Sequence, residues 1–326
     1  MNVLITGAAG FLGMRLARRL LALGELTDRH GQRRPIARLT LLDVITPQDF
    51  AGSDDSRVRT VLGDLRDPGL LASCFAAGVD AVFHLAAIVS GQAEAEFDLG
   101  MGINLDASRQ LLEACRALGT QPKVVFTSSV AVYGGTLPDV VQDDTALNPQ
   151  SSYGTQKAIS ELLLGDYSRR GFVDGRVLRL PTISVRPGKP NKAASGFASG
   201  IIREPLQGQP AICPVPATSR LWLLSPRKAI ESLLVGHELD GAALGKNRII
   251  NLPGLSVTVQ EMLAALGRVA GTHVPERVLW QRDPAIEQIV CSWPAAWDTQ
   301  RARALGFRGD KDFDSVIQAF IADELG

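Results

Sequence analysis

Residues Asn2–Gly13 read N-V-L-I-T-G-A-A-G-F-L-G. A β-prone run ends in a turn with glycine at 7, 10 and 13. After it Leu12, Leu16, Leu20 and Leu23 recur at near-helical spacing. This is a strand, a tight turn and an amphipathic helix. A pyrophosphate can rest on the amides at a helix N-terminus only where the backbone comes close, and a Cβ at such a turn holds it off. Gly7, Gly10, Phe11, Leu12 and Gly13 are therefore candidate nucleotide contacts, with Gly13 also letting the helix lie tight on its strand. The spacing is G-x-x-G-x-x-G, not the standard G-x-G-x-x-G, so the weight falls on context: strand before, helix after.

Outward from this turn the alternation continues. Short apolar runs at Leu39–Asp43, Val58–Leu62, Ala81–Leu85, Lys123–Thr127 and Arg176–Leu180 read as strands buried on both faces. Helical patterns fall at about Ala93–Leu118, with Leu105, Leu111, Leu112, Cys115 and Leu118 inward, and at Ser152–Arg169. That order predicts βαβ units and a parallel sheet. A polar connector from Gly24 to Arg38 is longer than usual and is expected to bulge at the surface. From about residue 185 prolines crowd in and strands shorten. We therefore read residues 1–184 as a nucleotide-binding domain and 185–326 as a smaller α/β substrate lobe, with strand exchange between them, and with helices at Arg227–Glu238, Thr258–Gly271 and Asp312–Leu325.

Composition narrows the function. The 326 residues carry 34 Lys plus Arg against 34 Asp plus Glu, so a net charge of zero gives no reason to expect nucleic acid or an anionic bilayer. No apolar run reaches the roughly eighteen residues of a membrane span, and none resembles a leader. The expected compartment is a reducing cytoplasm. Cys74, Cys115, Cys213 and Cys291 lack C-x-x-C spacing and sit in or beside apolar stretches, which predicts small buried hydrophobes. The four scattered histidines predict no metal site.

Asp43 closes the second strand, where an acid accepts the adenosine ribose hydroxyls, and its charge opposes a 2′-phosphate. NAD is thus expected over NADP. Asp64 and Leu65 follow the third strand near the adenine edge. Leu85, Ala86 and Ala87 provide small residues where the cofactor would cross the sheet. Tyr153 and Lys157 stand four apart on one helix face. A free phenol, of pKa about 10, is a poor base at neutral pH, and a nearby ammonium lowers it. The strand Val124–Thr127 runs into Ser128 and Ser129 at the sheet's carboxyl edge, and Asn104 begins the apolar part of the preceding helix.

The glycine turn, H-L-A-A at His84–Ala87, T-S-S-V-A-V-Y-G at Thr127–Gly134 and Y-G-T-Q-K at Tyr153–Lys157 together resemble the extended short-chain dehydrogenase/reductase family. The resemblance covers nearly the whole chain. It implies a doubly wound, Rossmann-type sheet, a nicotinamide cofactor held in part by Asn104, Tyr153 and Lys157, and a homodimer packed through the helices at about 93–118 and 151–169. It also implies Ser129 as the hydroxyl residue, Tyr153 as general base, Lys157 as its electrostatic partner, and Pro181–Ile183 beside the nicotinamide. Dehydratases of the family carry Asp-Glu where this chain has Val130 and Ala131, which argues against elimination. Val89–Asp98, Pro190–Gly200 and Ser219–Trp222 resemble a branch that oxidises the C2 hydroxyl of a four-carbon sugar acid with NAD. A carboxylate substrate needs a fixed cation. Arg220 is the preferred candidate, ahead of Arg186, Lys189 and Lys192, with Asn191, Ser195 and Ser90 as hydrogen-bonding partners. The alternatives are an NAD-retaining nucleotide-sugar epimerase, against which the low aromatic content of 6% counts, and a redox-sensing module, against which an intact Tyr153 and Lys157 count.

Overall fold

Alternation along the chain produces seven parallel strands in one sheet. In the computed structural model, which describes residues 1–188 and 193–326, these are β1 (Asn2–Thr6), β2 (Arg38–Asp43), β3 (Val58–Leu62), β4 (Ala81–His84), β5 (Lys123–Ser129), β6 (Asp174–Leu180) and β7 (Ile249–Asn251), numbering only the strands of this sheet. Their spatial order is β3-β2-β1-β4-β5-β6-β7, and each neighbouring pair is parallel. Strand direction of growth reverses between β1 and β4, leaving a crevice at their carboxyl ends.

Two helical layers bury the sheet, as the apolar strands require. On one face Val3 and Ile5 of β1 meet Leu16, Ala17 and Leu20 of helix Phe11–Leu23, together with Ala229, Ile230 and Leu233 of helix Pro226–Glu238. On the other, Leu4 meets the layer formed by Leu71, Leu111, Leu112, Cys115 and Leu164. Consecutive β1 side chains thus feed opposite cores. The fold is a doubly wound, Rossmann-type sheet with a smaller α/β lobe whose core gathers Ile201, Ile202, Met262, Leu266, Val316 and Ile317.

The connector after the first helix departs from expectation. It forms an antiparallel hairpin, Glu25–Thr27 with Arg33–Pro35, and buries Leu26. The long helix expected over 93–118 is also interrupted: Ser90–Ala95, Phe97–Gly100, a π-helical turn at Met101–Asp106, then Ala107–Leu118. A π turn advances the register, so Asn104 is buried while Leu105 is only half-buried. Three cysteines are buried as expected, but Cys291 is exposed.

The chain passes between the lobes repeatedly. Thr182–Ile183 pairs with Arg220–Leu224, and β7 then returns to the edge of β6. Helix Pro226–Glu238 is tied to the sheet by cations. Arg176 donates to the carbonyls of Gly236 (2.8 Å) and Leu239 (2.7 Å), and Lys123 to that of His237 (3.1 Å). These are carbonyls that a helix end leaves unpaired.

Candidate active site

At the crevice the glycine turn is closed from below. Gly7 has φ +72°, and a Cβ there would stand 2.6 Å from the Ala86 nitrogen; a Cβ on Gly13 would stand 2.2 Å from the Gly7 oxygen. Gly10, by contrast, meets only the Gly7 oxygen at 3.2 Å and is otherwise open. Asp43 holds the turn: one carboxylate oxygen accepts from Ala9 N (2.8 Å), the other from Val44 N (2.7 Å) and Ile45 N (3.3 Å). A carboxylate has about four lone-pair sites, so one acceptor position is left for a hydroxyl.

Two adjoining hollows, of about 310 and 320 Å³, share Gly7, Gly10, Leu85 and Ala87. Asp43, Asp64, Leu65 and Ala86 line the first. Phe11, Leu12, Gly13, Ser90, Ser129, Tyr153, Lys157, Pro181, Ile183, Arg186 and Ser195 line the second. This is a cradle shaped for a dinucleotide, with an acid at one end and a phenol at the other. Asp64's carboxylate is already taken by Arg66 Nη2 at 2.6 Å, which holds it below its ordinary range. A larger hollow of about 860 Å³ lies outside the first helix. Its Arg15 and Arg227 are paired with Asp323, and it holds none of the candidate catalytic residues.

Helix Ser152–Arg169 presents the phenol. Ser151 caps it by accepting from Gly154 N at 3.2 Å. Glycine is needed at 154 because a Cβ would stand 2.0 Å from the Ala131 oxygen, so the helix rests directly on the turn after β5. Tyr153 and Ser129 line the same end of the second hollow, where the Ser129 hydroxyl favours the ionised phenol. Burial raises the phenol above its ordinary value; the Ser129 hydroxyl and the charge of Arg186 pull the other way. The Y-x-x-x-K spacing predicts an ammonium on the same helix face as the phenol, one turn on. Lys157 Nζ donates to the Thr127 carbonyl (2.9 Å) and lies 5.7 Å from the centre of the Tyr153 ring. Burial brings the ammonium itself down to about 7, with Glu161 one turn on opposing the fall.

Beneath these residues lies a network that sequence reading missed. Ser128 donates to Glu161, which is fully buried and paired with Arg179 Nη2 at 2.6 Å; Arg179 also bonds Tyr133 and Asn251. Ser128 therefore looks into the core, leaving Ser129 at the cleft. A second chain fixes His84. The Ser108 hydroxyl donates to the Asn104 carbonyl (2.7 Å), so it accepts from His84 Nε2 (2.9 Å), and His84 Nδ1 accepts from Thr6 Oγ1 (2.6 Å). The ring is neutral, burial having brought it down to about 3.

Asn104 is corrected by this arrangement. It lines neither hollow. Its amide instead exchanges bonds with Ile88 N (2.8 Å) and Ile88 O (3.0 Å) and donates to Gln156 (2.7 Å), fixing the segment after β4. Arg220 is corrected too: 45% of its side chain is exposed, it pairs with Glu261 at 3.5 Å, and it stands outside both hollows. Asn191, Lys189 and Lys192 lie outside the described residues. Trp293, which reaches the second hollow from the distant part of the chain, carries no signal in the sequence around it.

A doubly wound sheet whose carboxyl edge joins a glycine-lined crevice to a Ser/Tyr/Lys group defines a short-chain type oxidoreductase. The model of the NAD dependent epimerase/dehydratase family matches residues 3–221, and the chain belongs to that family. It is 67% identical to D-erythronate dehydrogenase of Cupriavidus necator, over 99% of this chain and 98% of that one. It is 48% identical to D-erythronate dehydrogenase of Haemophilus influenzae over the full length of both. Among solved structures, the nucleoside-diphosphate-sugar epimerase of Agrobacterium tumefaciens superposes with a TM-score of 0.93 at 46% identity, covering 100% of this chain and 95% of that one. Among the described residues no group of three or more metal-ligating side chains gathers, and no helix is long and apolar enough to cross a membrane.

Proposed function

We propose that this chain is an NAD-dependent dehydrogenase that oxidises the C2 hydroxyl of D-erythronate to the 2-oxo acid. The observation that carries the chemistry is the gathering of Ser129, Tyr153 and Lys157 at the end of the glycine-lined hollow. The full-length likeness to D-erythronate dehydrogenases carries the substrate.

The residues fit NAD: the open Gly10, the spare acceptor of Asp43 and the small Leu85–Ala87 segment would hold its adenosine and pyrophosphate, and Lys157 its nicotinamide ribose. Asp43 favours NAD over NADP by opposing a 2′-phosphate. Bound NAD supplies a nicotinamide able to accept hydride. The chain's own residues handle the proton. Ser129 holds the substrate hydroxyl toward Tyr153, whose Oη receives its proton. The phenol is protonated at rest, being raised by burial, and Ser129 and Arg186 are the groups that ease its ionisation. Activity in the direction of oxidation therefore rises with pH.

The test is NADH absorbance at 340 nm with four- to six-carbon aldonates and nucleotide sugars, each with NAD and with NADP. Reduction confined to D-erythronate and NAD is expected, and Tyr153→Phe is expected to lose about 10²–10⁴-fold in kcat. Near-native turnover in that variant removes Tyr153 from its role. The solved epimerase neighbour supports a second reading, an epimerase that retains its NAD; it predicts product without accumulating NADH.

Two further properties belong to the same reading. The chain forms a homodimer through helix Ser152–Arg169 and the helices before β5, where Leu162 is 66% and Phe97 57% exposed. It works in the cytoplasm, a placement supported by four unpaired cysteines.

A further inference from the structure

Two cations line the second hollow, and among the described residues neither is paired with an acid: Lys157, whose ammonium donates to the Thr127 carbonyl, and Arg186. Arg176 pairs with Asp174, Arg179 with Glu161, and Arg203 with Glu204. Arg186 is half-buried in the cleft wall, yet among the described residues no carboxylate lies within ion-pair distance of it. Its Nε donates to the Ile183 carbonyl (3.0 Å) and its Nη2 to Ser195 Oγ (2.9 Å), while Nη1 has no partner among the described residues. The backbone clamps it: Arg186 N donates to Ser199 Oγ (2.9 Å), and Arg203 Nη1 donates to the Arg186 carbonyl (2.8 Å).

A charge withdrawn from water is costly unless a partner answers it. Guanidinium meets carboxylate well because its N–H groups lie in one plane. The hydroxyls around Arg186 favour the same ligand. Ser195 Oγ accepts from Arg186, which leaves the Ser195 proton free to donate. Ser90 Oγ accepts from Ala194 N (3.3 Å) and likewise keeps its proton. Two donors, Nη1–H and the Ser195 O–H, therefore stand beside each other in a cleft whose other wall is the Tyr153 phenol. An anion with two adjacent oxygens answers both.

We propose that Arg186, with the Ser195 hydroxyl, is the carboxylate anchor of this cleft, so that the site selects small 2-hydroxy acids over neutral polyols. The proposal rests on the dehydrogenase reading above and adds the residue that sets its substrate class. It also displaces Arg220, whose charge is answered by Glu261. Holding the carboxylate at Arg186 leaves the neighbouring carbon, the one bearing the 2-hydroxyl, as the part of the acid directed to Ser129 and Tyr153. The charge of Arg186 further lowers the proton affinity of the phenol, so substrate binding and proton acceptance share one cation.

The experiment compares wild type, Arg186→Met and Arg186→Lys in steady-state assays with D-erythronate and with neutral erythritol, and measures NAD affinity by fluorescence titration. Arg186→Met is expected to raise KM for D-erythronate on the order of 10²-fold or more, leave NAD affinity within twofold, and abolish the preference for the acid over erythritol. Arg186→Lys is expected to recover part of the loss, and the acid limb of the pH profile is expected to move to higher pH in Arg186→Met. KM within threefold of wild type in Arg186→Met overturns the anchor and leaves the dehydrogenase standing. Should Arg186→Met fail to fold, the lysine variant decides: the anchor requires its KM for D-erythronate to rise while that for erythritol holds, and an unchanged acid preference overturns it. If wild type oxidises no aldonate, the functional reading fails. Calorimetric titration of D-erythronate into NAD-loaded enzyme then judges the anchor alone: binding that needs Arg186 upholds it, and Arg186-independent or absent binding overturns it.

Discussion

Replacing Glu161 by Gln tests whether the ion pair beneath the active site sets both stability and charge. Glu161 is wholly buried and accepts from Arg179 at Nε (2.9 and 3.2 Å) and Nη2 (2.6 Å), and from Ser128. Gln keeps the volume and some of the bonds but leaves Arg179, itself 4% exposed, without a counter-charge. Removing one member of a buried pair costs roughly 3–5 kcal/mol, and the isosteric amide places Glu161→Gln near the lower end, about 3 kcal/mol. The same change acts on Lys157, whose ammonium Glu161 supports against burial. Its value falls below about 7, so nucleotide affinity that depends on a charged Lys157 is lost at lower pH than in wild type. The assay is urea unfolding followed by tryptophan fluorescence, since Trp222 and Trp297 stack beside Tyr133, together with NAD titrations from pH 6 to 9. The double variant Glu161→Leu/Arg179→Met, which removes both charges, is expected to recover much of the stability. A loss under about 1 kcal/mol in Glu161→Gln, or a double variant no more stable than the single, refutes the reasoning.

Two buried histidines predict acid sensitivity: burial brings both His84 and His237 down to about 3. Between pH 6.5 and 3 the unfolded chain takes up protons that the folded one refuses, so stability falls as pH drops; with the shift of 1.36 kcal/mol per pH unit for each ring, the pair contributes roughly 3 kcal/mol of loss from pH 6.5 to 5. Urea midpoints that stay flat across that interval contradict the assignment. For the dimer, Leu162→Glu places a charge on the exposed face of its helix, and sedimentation at micromolar concentration is expected to show dimer for wild type and monomer for the variant; a monomeric wild type rejects the interface.

Helix Ser152–Arg169 was readable to the residue because Ser151 caps it and its glycine permits close packing. The core strands were readable because a strand buried on both faces has little choice but Val, Ile, Leu and Phe. What escaped depended on distant contacts. The π turn at Met101–Asp106 is secured by Asn104 reaching across to Ile88, a partner sixteen residues away that no periodicity reveals. β7 is three residues long, too short to stand out as a pattern. Arg186 and Arg220 look alike in a sequence; only tertiary packing decides which guanidinium sinks into the cleft and which meets an acid at the surface. For Lys157 the spacing gave the neighbour but not the hydrogen-bond partner. Four residues place it one turn from Tyr153, and one of its three donors goes to the Thr127 carbonyl, a partner thirty residues away.

The return of β7 to the large sheet has a consequence for making and handling this molecule. A fragment ending near residue 184 would lack both the strand that covers β6 and the helix whose last carbonyls hold Arg176 and Lys123. It would present a raw sheet edge and leave Arg176 with Asp174 and Lys123 with the Thr27 carbonyl as their remaining partners. Because the polypeptide threads from one half to the other several times, the halves share a single assembly step, and opening of the cleft is restricted to flexing across a multi-stranded joint instead of swivelling on one tether.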